Sequence, residues 1–209
     1  MGIGVIGICD HNSAENAPAA VEAARRYGLR VLPGMEVTSS EEVHILALFD
    51  ALEPVLKLQE KVYENLPGEN DEETFGMQVI ANADDEVLGF NSRLLIGATT
   101  LGVNEIADLT LSLGGLAVAA HIDRESFSLI GQLGFIPDNL SLDALEISPV
   151  VTYDEAMRTY APSLPLIQSS DAHRLDEIGR CSTVFLIRDP GIQEIKMALK
   201  SEGGRRVER

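Results

Sequence analysis

The chain has 209 residues, 45% of them hydrophobic and 23% charged, enough for one sizeable core. Its formal net charge of −17 argues against a large nucleic-acid footprint, because phosphate backbones are held by Lys and Arg, but it leaves room for a small phosphorylated ligand gripped by metal ions and one or two arginines. No apolar run reaches membrane-spanning length, residues 1–9 lack the basic start and cleavage site of a signal peptide, and the two cysteines, Cys9 and Cys181, fit a reduced, cytoplasmic setting.

Residues 3–9 read as a buried strand that ends in Asp10-His11-Asn12. A helix is expected over 15–27, stopped by Gly28. Residues 29–33 and 34–38 read as two short extended pieces, and the β-branched and apolar run 43–49 as a clear strand. Residues 51–66 look helical, 67–73 a Pro/Gly/acidic loop, and 75–82 with 86–96 a hairpin or a helical excursion. A helix over 103–113 precedes the small-residue strand 116–120, which delivers His121. A short helix over 126–133, a strand over 144–147, a helix over 154–160 and a strand over 166–168 follow, the last delivering Asp171 and His173. A strand over 183–187, a helix over 192–201 and a frayed polar tail from Gly203 complete the chain. Short apolar strands alternating with helices imply a mostly parallel sheet or barrel, read as a single domain over 1–209, with functional groups at the C-terminal strand ends.

Asp171 and His173 are two apart, so in an extended backbone they share a face as a carboxylate and an imidazole. All four histidines, His11, His44, His121 and His173, fall in or at the ends of expected strands, with Asp10, Glu36, Asp123 and Asp171 nearby. If the strands run parallel, these groups converge on one rim. A mixed imidazole and carboxylate cluster suits Zn, Mn or Fe, and open coordination positions would make it hydrolytic. Cys9 reads as a buried strand residue rather than a nucleophile, since no basic neighbour is evident to lower its pKa.

The strings Gly7-Ile-Cys-Asp-His-Asn12, Gly34-Met-Glu-Val-Thr38 with Val43-His44, Ala120-His121 with Arg124, and Ser170-Asp-Ala-His173 resemble, in order, those of the PHP (polymerase and histidinol phosphatase) superfamily. The resemblance implies a distorted (β/α)7 barrel holding two or three divalent ions for phosphoester hydrolysis. It implies that Glu36 bridges two ions, that His44 and His121 complete the second site, that Asp171 serves the first, and that His11 and His173 serve the third. Glu36, Asp171 and His173 would then be the catalytic positions and Arg124 the substrate-phosphate contact, with Arg174 a weaker candidate and Asp10 orienting His11.

The family's opening strand with His-x-His is missing, so the barrel is expected to be incomplete at the N-terminus and to hold fewer ions. The favoured expectation is a start at an internal Met, with an uncovered first strand that dimerisation could pair. The leading functional expectation is a metal-dependent phosphoesterase acting on a small phosphate ester or short nucleotide. The alternatives are a non-catalytic metal-binding or regulatory module and an amidohydrolase-type C–N hydrolase.

Overall fold

The computed structural model describes residues 2–137 and 139–208. In chain order the elements are β1 (Val5–His11), α1 (Ala17–Arg25), β2 (Arg30–Thr38), β3 (His44–Leu48), α2 (Leu52–Glu64), α3 (Glu72–Phe75), β4 (Val79–Ala81), β5 (Val87–Phe90), α4 (Val103–Ser112), β6 (Leu116–Ala119), α5 (Leu129–Leu133), β7 (Ala144–Ile147), α6 (Tyr153–Tyr160), β8 (Leu166–Gln168), β9 (Val184–Leu186), α7 (Ile192–Leu199) and β10 (Arg206–Glu208).

The main sheet has six strands in the order β1-β2-β3-β6-β7-β8 and curls into a half-barrel. All its neighbours pair parallel except β3, which is antiparallel to both β2 and β6. The short link from Thr38 to His44, with Glu42 at φ 59°, is too brief for a crossover helix, so β3 must run back along β2. The expected (β/α)7 barrel is therefore met only in part: the fold is mixed α/β, and β1 and β8 are sheet edges among the described residues. The two extended pieces expected over 29–38 are one nine-residue strand.

Strand alternation sorts the side chains onto two faces. Met35, Val37, Ile45, Ala47, Ala117, Ala119, Leu145 and Ile147 point to the convex face. There α2 and α4 lay down Val55, Leu58 and Val62, and Val103, Ile106 and Ala107, at the spacing of one helix face. Leu32, Leu116, Val118 and Ala144 point to the concave face and meet Ile192, Ile195 and Leu199 of α7. Helix α7 is fixed at the lower rim, where Ile192 N–H donates to the Asp50 carboxylate (3.1 Å) and Lys196 pairs with Asp143 (3.1 Å). Its burial closes one end of the half-barrel and leaves the other end to polar groups.

Two expectations fail at the C-terminal end. The strand over 183–187 does not join the main sheet, and the tail is not frayed: β9 and β10 form a separate antiparallel pair. Glu194 of α7 anchors it, taking the Arg205 guanidinium at both carboxylate oxygens (Nε 3.0 Å, Nη2 2.5 Å) and the Arg188 N–H at 2.9 Å. The Arg205 contact, then the Arg188 N–H, hold the Glu194 carboxyl at about 2, against an ordinary 4.5. A carboxyl depressed in the folded state adds stability that is complete above its unfolded pKa and is lost as pH falls through the folded one. We therefore expect Glu194→Gln to flatten the fall in melting temperature between pH 4.5 and about 2 relative to the parent chain, read by circular dichroism at each pH. Equal slopes would show that the clamp contributes nothing.

Candidate metal centre

The upper rim gathers imidazoles around Glu36. In the parallel register His11 lies directly opposite Glu36, so both side chains leave the sheet on the concave face. His44 pairs with Thr38 in the β2–β3 register, which makes it the diagonal neighbour of Glu36 on the same face. The antiparallel run of β3 matters here. It brings the first residue of that strand, not the last, to the rim.

His121 arrives differently. Strict alternation would send it to the convex face with Ala117 and Ala119. Instead the chain leaves β6 with φ 29° at His121, and the ring reaches Glu36. The resulting contacts are His44 Nδ1 to Glu36 Oε1 at 3.0 Å, His121 Nε2 to Oε1 at 3.3 Å and His11 Nδ1 to Oε2 at 3.6 Å. Ring centroids are 5.0 Å apart for His11 and His44 and 5.4 Å for His44 and His121. Burial would raise the Glu36 carboxyl, but the contacts from His121 and His44 outweigh it and hold it far below the usual range. His11 is pushed down, chiefly by burial, with Glu36 opposing.

The left-handed backbone at Asn12 fixes the floor of this cluster. Asn12 is fully buried with φ 49°, a conformation that Asn tolerates better than most residues. Its Nδ2 donates to the carbonyls of Leu95 and Gly97, both at 2.8 Å, and its Oδ1 accepts Thr38 N–H at 3.0 Å. It thus ties the end of β1 to the end of β2 and to the loop over the rim.

Ligand atoms of His11, Glu36 and His44 lie within 4.8 Å of one another, close enough to share one ion. The fit is chemical as well as spatial. The buried Nδ1 atoms of His11, His44 and His121 make no hydrogen bond; those of His44 and His11 face the Glu36 oxygens at 3.0 and 3.6 Å, and that of His121 faces away from the Nε2 that meets Glu36. Buried imidazole nitrogens left without partners are costly in a core but natural around a cation.

Asp171 and His173 share the rim but stand apart from this group. Asp171, at φ 44°, forms a short charge-assisted hydrogen bond with Arg124 Nη2. His173 Nδ1 is 3.9 Å from Asp171 Oδ1, and its side chain is 67% exposed. Arg174 heads the exposed turn 175–177. Two expected neighbours are elsewhere. Asp123 holds Ser148 through N–H (2.7 Å) and Oγ (2.5 Å). Asp10 alternates away from His11 and accepts from Asn16 Nδ2 at 3.3 Å, so it does not orient the His11 ring.

Sequence reading missed Glu146. Its inward position in the run Ala144-Leu-Glu-Ile147 was the available signal: a carboxylate where β7 is otherwise wholly apolar. It accepts His121 N–H at 3.3 Å and a short hydrogen bond from Ser169 Oγ, joining the ends of β6, β7 and β8. Burial pushes its carboxyl up. Burial, then Glu36, Glu146, Asp10 and Asp171, raise the Cys9 thiol, so it stays protonated.

Beside His44 and His121 opens a pocket of about 410 Å³ that Arg124 and Phe127 also line. A second, of about 280 Å³, lies beside His11 under the β4–β5 hairpin. No helix among the described residues is long and apolar enough to cross a membrane.

Residues 161–202 match the PHP-associated family model. No curated protein matches the chain by sequence. Its fold is similar to that of the lesion-specific endonuclease Endonuclease Q from Pyrococcus furiosus, with a TM-score of 0.68 and 23% identity over 99% of this chain. An Endonuclease Q complex with a 27-mer duplex carrying an abasic lesion at the active site aligns with a TM-score of 0.66 and 23% identity, again over 99% of this chain. The chain spans 50% of the length of either Endonuclease Q chain. A candidate metal-dependent phosphoesterase from Bifidobacterium adolescentis aligns with a TM-score of 0.54 and 19% identity over 87% of this chain and 82% of that one. The duplex held by Endonuclease Q overturns the expectation, drawn from net charge, of a small substrate and no long nucleic acid. Net charge is a sum over the whole chain, whereas a strand is gripped locally. The PHP-associated match covers residues 161–202, and the solved structures, at 23% and 19% identity, share the mixed α/β fold of this chain.

Proposed function

We propose that this chain is a metal-dependent phosphoesterase acting on nucleic-acid phosphodiesters. The observation that carries the reading is the cluster of imidazoles gathered around the buried Glu36 carboxylate, with ligand atoms of His11, Glu36 and His44 within 4.8 Å of one another. The likeness to Endonuclease Q, which is seen with a 27-mer duplex carrying an abasic lesion, supports the choice of substrate.

His11, Glu36 and His44 would hold a divalent ion, with the His121 ring beside His44 at the same Glu36 oxygen. Imidazole and carboxylate donors suit zinc, manganese or iron. Such an ion would supply positive charge for the phosphoryl oxygens and acidify a bound water. The residues of the chain do the rest. Arg124, held by Asp171 and lining the larger pocket, offers its remaining guanidinium donors to a non-bridging phosphate oxygen. His173, exposed on the same rim, is free to hand a proton to the leaving oxygen. Glu146 holds the backbone at His121 so that its ring stays aimed at Glu36.

The test is cleavage of end-labelled oligonucleotides, single-stranded, duplex and abasic, by the metal-stripped chain with and without added manganese or zinc. We expect product only with metal. Equal cleavage in a chelator, or none on any substrate with either metal, would sink the reading.

A further inference from the structure

Phe127 sits in an unusual state for an aromatic residue. Its backbone is left-handed (φ 58°), which a bulky side chain rarely adopts without cause, and the residue is 40% exposed. The surrounding loop enforces this. Ser128 Oγ donates to the Arg124 carbonyl at 2.5 Å and accepts Gly131 N–H at 2.9 Å. Gly131 packs so closely that a Cβ there would stand 2.4 Å from the Glu125 carbonyl oxygen. The Phe127 carbonyl accepts His44 N–H at 3.0 Å, and its ring stacks on the His44 imidazole at 4.8 Å between centroids and 18° between planes. Phe127 and Arg124 line the same pocket beside His44 and His121.

Apolar surface held half in water by a strained, braced loop is costly unless something covers it. The pocket has an aromatic wall, a guanidinium three residues away in sequence and an imidazole cluster at its base. Those are the elements needed for a planar ring carrying a phosphate. Resting on the function proposed above, we infer that Phe127 is a specificity-determining residue: it stacks the nucleobase next to the phosphate that Arg124 contacts, so the substrate class is a nucleotide unit rather than an alkyl or sugar phosphate.

The chain contains no tryptophan, so Phe127→Trp would place a single reporter on this wall. In the manganese-loaded protein, adenosine 5′-monophosphate should quench that fluorescence, and ribose 5-phosphate should require about 10-fold higher concentration or leave it unchanged. Calorimetry on the unsubstituted chain with the same two probes should give the same order of affinity, whatever the folding of the variant. Phe127→Leu should cut adenosine 5′-monophosphate affinity by about 10-fold and leave ribose 5-phosphate binding within about twofold. A purely structural role would weaken both alike. Equal affinity for the two probes in the unsubstituted chain would overturn the inference. Metal-dependent strand cleavage with equal probe affinities defeats the stacking role alone; selective base binding without cleavage defeats the hydrolase reading alone.

Discussion

Glu36→Gln is expected to lower metal-dependent phosphodiester cleavage on the order of 10³-fold and to abolish tight metal binding. The substitution keeps the shape of the side chain and removes the one charge that three imidazoles approach within 3.6 Å. An amide can offer one weak oxygen donor to a cation, and its NH₂ would point at an imidazole nitrogen or an ion. Two measurements separate the causes. Single-turnover cleavage reads the chemistry, and calorimetric titration with manganese or zinc reads the site. Loss of both is the expected pattern, with a lower melting temperature in the metal-free chain, because the contacts from His121 and His44 more than offset the burial of the charge that the amide removes. Retained cleavage within about tenfold would remove Glu36 from the machinery.

Asn12→Ala should be the most destabilising single change at the rim, by roughly 2–4 kcal/mol. The methyl group leaves the Leu95 and Gly97 carbonyls and the Thr38 N–H without the partners that Asn12 now gives them. It also places alanine at φ 49°, where Asn is the better tolerated residue. Asn12→Gly separates the two effects. Glycine accepts the backbone but lacks the amide, so it should recover less than about 1 kcal/mol of the loss. Urea unfolding with an unchanged m-value reads the difference. Recovery to the parent midpoint by Gly would mean that backbone conformation, not the hydrogen bonds, sets the stability here. Since Asn12 follows His11 directly, metal affinity should fall in both variants.

Much of the rim was legible because it depends on alternation and strand ends. The run Val43-His-Ile-Leu-Ala-Leu-Phe49 marks a strand whatever its direction, and β7 and β8 lie where their apolar runs begin and end. Direction was the harder quantity. Nothing in residues 43–49 distinguishes parallel from antiparallel; only the short link from Thr38 to His44 does. His44 reaches the site because that strand is reversed. The strand end that delivers His121 was legible, but the aim of its ring was not: it rests on a left-handed backbone after β6, which no periodicity encodes.

Closure of the sheet was not legible either. The apolar run at 183–187 looks like any interior strand, yet its partner is the polar segment Arg206–Glu208, held through Glu194 and Arg205. A charged three-residue strand carries almost no hydrophobic signal. Glu146 shows the converse. A single acid within an apolar strand is easily taken for a sequence accident, but strand alternation points it into the concave face beside the histidine cluster. Net charge is a weak guide to substrate because it averages over a surface on which Arg124, held by Asp171, stands beside the imidazoles.

The central claim is that His11, Glu36 and His44 share one cation. Crystals soaked in manganese or zinc and measured at the metal's absorption edge test it most directly. The account predicts an anomalous peak about 2.0–2.2 Å from a Glu36 carboxylate oxygen and from ring nitrogens of His11 and His44. A map with full-occupancy metal elsewhere and none within reach of Glu36 would contradict it.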